Sequence, residues 1–231
     1  MVNEQELEYQ KAAAASDMFQ LLALSMHLPQ KDLVVGLLEG GIADDVTALF
    51  RELGFDPEDT RNLEKTFENI RSNGESKENL LSELRQEYTR LFTHPKKTVI
   101  PIYEALFRYI YEEQGGARPL LFVSPAALDA ERCYKKAGLK MSKAVNESGD
   151  HMGTEMEFMM YLYLQKAKAI QENDQEELAR RNEEIEEFER LHLKRWAKEF
   201  FSQCKTASKS KFYSAIGEIG SLFMSGMAAR D

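Results

Sequence analysis

The chain has 231 residues, 43% apolar and 30% charged, with only 6 prolines and 13 glycines, a balance that excludes a disordered chain and leaves too few turn residues for an all-β sandwich. A formal net charge of −9 and a pI near 5.2 exclude a general grip on nucleic-acid phosphates, which needs a basic face; an acidic surface suits solubility and a basic partner. The first predicted element is a helix over residues 3–27, with Leu7, Ala14, Met18, Leu21, Leu22 and Ser25 near one face and Pro29 ending it. A short helix follows and closes at Gly40-Gly41, and a third stops near Gly54. Asp56 before Pro57 opens a fourth, which ends at Asn73-Gly74. Ser76 begins a helix running through Phe92, with Leu80, Leu84, Tyr88 and Leu91 as its apolar stripe. A proline-bounded loop leads to the aromatic-rich helix that starts near Tyr103, and an extended connector, "ARPLLFVSP", leads to a helix from Ser124-Pro125 to Ala137. The next helix carries Met152, Met156, Met159 and Tyr163 as a buried stripe. After a turn near Asn173-Asp174, one charged helix runs through Cys204, with Glu176–Arg180 and Glu177–Arg181 pairs and with Leu178, Ile185, Phe188, His192 and Trp196 inward. An apolar closing helix covers the region from Lys211. The pattern predicts an all-α, single-domain bundle of about eight to ten helices over residues 1–231, with the loop from Gln114 to Ser124 as a possible hinge.

Compartment follows from the same reading. Cys133 and Cys204 form no CxxC pair and so neither a disulfide framework nor a zinc ribbon. The N-terminus is acidic where a signal peptide is basic, and Ser16 and Asp17 interrupt its alanines, so no membrane insertion is expected. The expectation is a soluble, cytoplasmic protein.

Enzymatic signatures are sparse. There is no GxSxG elbow, no GxGxxG and no P-loop. Asp150, His151 and Glu155 are the one tempting cluster, because His and Glu four residues apart can face one metal ion or one water. Zinc requires three or four ligands, and the other histidines, His27, His94 and His192, are scattered. The plainer reading is that Asp150 caps a helix into which Glu155 falls two turns later. Tyr88, Leu91 and Phe92 at one helix end, with Tyr103, Phe107 and Tyr111 along the next, read either as core or as an apolar groove for a peptide.

Three linked blocks carry a resemblance: "EYTRLFTHP" from Glu87, "PIYEALF" from Pro101 and "ESGDHMGTEMEFMMYL" from Glu147. In this order and spacing the chain resembles the TorD/DmsD family of molybdoenzyme maturation chaperones, with NarJ a more distant relative. Tyr88, Leu91 and Phe92 match the first family pattern, Pro101, Glu104 and Phe107 the second, and Glu147, Asp150, His151, Glu155, Phe158 and Met159 the third. Ser148 stands where the family has proline, which loosens the turn before Asp150.

The resemblance implies an all-α binding protein and not an enzyme. Its partners would be the twin-arginine signal peptide and the apo form of a molybdoenzyme catalytic subunit. The client carries the molybdenum cofactor, and the chaperone itself needs none. Tyr88, Leu91, Phe92, Pro101, Tyr103 and Phe107 would meet the apolar part of the signal, while Glu104, Asp150 and Glu147 would meet its arginines beside His151. Glu155, Phe158 and Met159 would support that wall. A monomer or a domain-swapped homodimer is consistent with the resemblance. Two alternatives stay open: a NarJ-like assembly factor for a client that is never exported, and a metal-dependent enzyme using Asp150, His151 and Glu155.

Overall fold

A computed structural model describes residues 4–74, 76–95, 97–112, 117–141 and 147–228. The expected all-α architecture is observed. Eleven α-helices are found among the described residues: α1 (Glu4–Ser25), α2 (Lys31–Glu39), α3 (Gly41–Glu52), α4 (Pro57–Arg71), α5 (Lys77–Tyr88), α6 (Glu104–Tyr111), α7 (Pro125–Lys136), α8 (Met152–Glu172), α9 (Gln175–Leu191), α10 (Ala197–Ala207) and α11 (Lys211–Ala228). No strand occurs among these residues; Tyr103 and His151 form an isolated antiparallel bridge. None of these helices is long and apolar enough to cross a membrane. Residues 114–116 of the expected hinge lie outside the described residues.

The chain divides into two compact units, each built from two separate stretches. Unit 1 comprises residues 1–26 and 101–198; unit 2 comprises residues 27–100 and 199–231.

In unit 1, α1 lies antiparallel against α8. Gln5 Nε2 donates to the Ile170 carbonyl at 2.8 Å and Ser16 Oγ to the Met160 carbonyl at 3.0 Å, so the start of one helix meets the end of the other. Small residues permit this approach: Ala12 packs on Ala167 and Ile170, and Ala14, Ala15 and Ser16 are buried beside it. The predicted face of α1 is correct except at Leu7, which is 44% exposed. Asn173, in a left-handed conformation, reverses the chain from α8 into α9, and Asp174 caps α9 through the Glu177 N–H. Phe158 and Phe188 then meet edge to face, with Tyr134 of α7 against both. The expected Glu177–Arg181 pair forms at 2.7 Å, but Arg180 also turns to Glu177, leaving the predicted Glu176 pairing unmade.

Two helices predicted as continuous are interrupted. α9 ends at Leu191, a 3-10 turn covers Leu193–Arg195, and α10 begins at Ala197. His192 and Trp196, four residues apart across this break, both point into buried carboxyl groups of unit 1.

In unit 2, the helix from Ser76 gives way at Thr89–Thr93 to a π-helical turn. Tyr88, Leu91 and Phe92, at i, i+3 and i+4, share one side of the chain, and all three are buried. Phe92 stacks on Phe200 and meets Tyr213 edge to face. Arg90 closes the turn by pairing with Glu87 and donating to the Ala207 carbonyl at 2.7 Å. Gly41 opens α3 instead of closing α2, which ends at Gly40.

Candidate functional site

The site is assembled where α6 and α8 begin. The Glu104 N–H donates to the Asp150 carbonyl and the Met152 N–H to the Ile102 carbonyl, both at 2.9 Å, so the two helix starts are stitched backbone to backbone. The sequence-based expectation that Asp150 caps its own following helix is corrected here. His151 caps α8, its Nδ1 accepting from the Gly153 N–H at 3.1 Å. Asp150 instead serves α6, Oδ2 accepting from the Ala105 N–H at 3.1 Å. An exposed helix N-terminus favours a carboxylate in either position. Glu155 falls one turn into α8, not two.

Ser148 does not loosen the turn. Its buried Oγ donates to Asp150 Oδ1 at 2.6 Å and accepts from the Phe122 N–H at 3.2 Å, tying the connector before α7 to the carboxylate. Proline at this position has no hydroxyl to do either. Gly149 is required by close packing: a Cβ there would stand 2.8 Å from the Ala127 carbonyl oxygen and 2.7 Å from Glu131 Cγ of α7. Tyr134 Oη donates to the Gly149 carbonyl at 2.6 Å, and burial pushes its hydroxyl pKa up.

Behind this loop lies a buried polar cluster that was not legible from spacing. Glu104 Oε2 stands 2.6 Å from His192 Nδ1, while its Oε1 accepts from Arg108 at 2.8 Å. Glu155 Oε2 accepts from Trp196 Nε1 at 3.0 Å, and its Oε1 has no hydrogen-bond partner. Glu104, Asp150 and Glu155 are all fully buried. Burial, followed by repulsion from Glu104 and Asp150, raises the Glu155 pKa well above the carboxylate range despite His192 and Trp196, so its neutral acid is favoured. Burial opposes charge on His192, but close contacts with Cys133 and Glu104 outweigh it and hold its pKa at about 10.

His192 supplies what the sequence reading lacked. The alternative Asp150–His151–Glu155 metal trio is not among the groups of described residues whose donor atoms converge, and His151 Nδ1 caps α8. The groups whose donor atoms do converge are Glu104–Glu155–His192 and Asp129–Cys133–His192. Neither separation, 88 residues from Glu104 to His192 or 59 from Cys133, leaves a local motif; the inward placement of His192 and Trp196 on one face was the available signal.

The remaining predicted site residues divide by unit. Tyr88, Leu91 and Phe92 are buried in unit 2. Pro101, Tyr103, Glu104, Phe107, Glu147, Asp150, His151, Glu155, Phe158 and Met159 belong to unit 1. Phe107 is buried between Tyr111 and Trp196, and Phe158 and Met159 are core. Tyr103 and Glu147 are only partly buried: Tyr103 Oη donates to Glu147 Oε2 at 2.6 Å, and its ring packs edge-on against His151. Beside them the connector exposes Leu120 (72%), Phe122 (44%) and Val123 (60%), with Leu128 of α7 exposed nearby in sequence. Phe122 adopts a positive φ of 62°, at the centre of a three-residue turn closed by the Val123 N–H on the Leu121 carbonyl. That conformation is strained for a bulky side chain, and the Ser148 bond to the Phe122 N–H holds it.

An all-α scaffold with acidic groups behind a rim of exposed apolar side chains has the build of a binding protein. The chain belongs to the nitrate reductase delta subunit family, which it matches over residues 54–202. That family consists of chaperones of molybdoenzyme assembly, not catalytic enzymes. No curated protein matches the chain.

Proposed function

We propose that this chaperone acts in the cytoplasm on one molybdopterin-containing catalytic subunit, binding its twin-arginine signal peptide and apo form until the cofactor is inserted. The observation that carries this reading is the junction of apolar and acidic surface in unit 1. Leu120, Phe122 and Val123 are exposed on the same connector that Ser148 fastens to the loop bearing Glu147. A twin-arginine signal has a basic segment followed by an apolar one. The apolar segment would cover the connector, at roughly 25 cal/mol per Å² removed from water. Its arginines would pair with Glu147, where a carboxylate can be met by a guanidinium fork.

The buried carboxyl groups take a supporting part. Asp150 and Glu104 fix the loop and the start of α6, and add negative potential behind the rim. Tyr88, Leu91 and Phe92 would act from the core of unit 2 and not as direct contacts. The client brings the molybdenum cofactor.

Calorimetric titration with the signal peptide of the molybdoenzyme encoded beside this chain tests the proposal. Saturable binding that weakens with salt, and is lost when both arginines become glutamine, is expected. Absence of saturable binding for every neighbouring client would overturn it. The nitrate reductase delta subunit match favours one second reading, an assembly factor for a client that is never exported. Equal affinity for a mature catalytic subunit lacking any arginine pair would move the assignment there.

A further inference from the structure

We propose that Asp129, Cys133 and His192 form a binding site for a transition-metal cation of the zinc class. Asp129 and Cys133 lie four residues apart on one face of α7, and His192 sits where α9 ends. Their donor atoms all fall within 4.8 Å of one another. His192 Nε2 is buried and has no hydrogen-bond partner, although it stands 3.4 Å from Asp129 Oδ2. Cys133 lies close enough to the ring to help raise its pKa. A buried ring nitrogen left in this state points to an additional ligand.

The other side of the imidazole is already arranged for coordination. Nδ1 faces Glu104 Oε2 at 2.6 Å, and Arg108 holds the same carboxylate from Oε1. A carboxylate on one ring nitrogen and a cation on the other is the usual outer support of a metal-bound histidine. Tetrahedral zinc with sulfur, nitrogen and oxygen ligands needs about 3.3–3.8 Å between donor atoms. The Asp129–His192 pair already meets that spacing. Arg132 pins the second Asp129 oxygen at 2.5 Å from outside. Thiolate and imidazole select zinc, cobalt(II) or iron(II) over calcium or magnesium.

Asp129, 31% exposed, gives the cation access from solvent. The alternative trio of Glu104, Glu155 and His192 is wholly buried, has no sulfur, and already spends Nδ1 on Glu104. On binding, the cation replaces the thiol proton and the proton His192 otherwise holds, and both leave to solvent. Three protein ligands leave a fourth position for water, and the cation ties α7 to the end of α9.

The test uses the full chain, stripped with a chelator and titrated with cobalt(II), then zinc(II), without any peptide. It therefore stands apart from the signal-peptide reading. One equivalent of cobalt should bind and give a thiolate-to-cobalt charge-transfer band that zinc abolishes. Cys133→Ser should lose the band, Asp129→Asn should weaken affinity at least about tenfold, and Cys204→Ser should change neither. No stoichiometric binding, or a band that survives in Cys133→Ser, would overturn the site. Should Cys133→Ser lose its helical circular dichroism, Asp129→Asn decides, and unchanged affinity there overturns it.

Discussion

His192 Nδ1 and Glu104 Oε2 stand 2.6 Å apart although 88 residues separate them in the chain. This pair joins the end of α9 to the start of α6, and both side chains are at most 2% exposed. Removing one partner leaves the other charge buried with less compensation. Glu104→Ala and His192→Ala should each cost about 3–5 kcal/mol in urea denaturation. The double variant should cost less than the sum of the two, because the second change no longer strands a partner. Additive losses would mean the pair is not coupled.

Asp150 separates a structural from a contact role. Its carboxylate is fully buried and bonded to the Ala105 N–H and Ser148. Asp150→Asn should lower stability by about 1–2 kcal/mol and leave the salt dependence of peptide binding nearly unchanged. A large loss of affinity with unchanged stability would instead make Asp150 a direct contact.

Unit 2 carries the clearest acid sensitivity. Burial works against the Glu87 carboxylate, but bonds from Arg90, the Lys209 N–H and Ser208 outweigh it and lower its pKa from 4.5 to about 2. Between those values the unfolded chain binds more protons than the native one, so this contribution is complete above about 4.5 and disappears as pH falls through about 2. Allowing for solvent near the pair, Glu87→Gln should cost about 1–2 kcal/mol at pH 7. Its melting temperature should also fall less steeply over the acid window than that of the parent chain.

Gly217 tests the packing of α11. A Cβ there would lie 2.2 Å from the Lys205 backbone nitrogen and 2.7 Å from the Phe201 carbonyl oxygen of α10. These are backbone atoms that cannot rotate away. Gly217→Ala should destabilise by about 3 kcal/mol or more despite the better helix propensity of alanine. A neutral or stabilising result in chemical denaturation would show that α10 and α11 are further apart than described.

The fold was legible because its signals are local. Asp56-Pro57, Ser76 and Ser124-Pro125 each open a helix as expected, their side chains capping the first turn. The stripes of Leu80, Leu84, Tyr88 and Leu91, and of Met152, Met156 and Met159, are buried. What spacing misassigned was set by distant partners. Asp150 looks like the cap of α8, yet the backbone bridge from Tyr103 to His151 turns it onto α6. Thr89–Thr93 and His192–Trp196 read as helix interior, but a π-helical turn replaces the first and a 3-10 turn breaks the second, and neither has a local sequence signal. Phe122 was read as part of a plain connector; its positive φ and its bond to Ser148 have no sequence signature.

Hydrogen–deuterium exchange of the full chain, with and without a saturating twin-arginine signal peptide, tests the central proposal most directly. Protection should appear in residues 117–128 and around Glu147–His151, and Phe122→Asp should abolish both the protection and the binding. Protection confined to other segments, or unaltered binding by Phe122→Asp, would contradict a signal-peptide site on this connector.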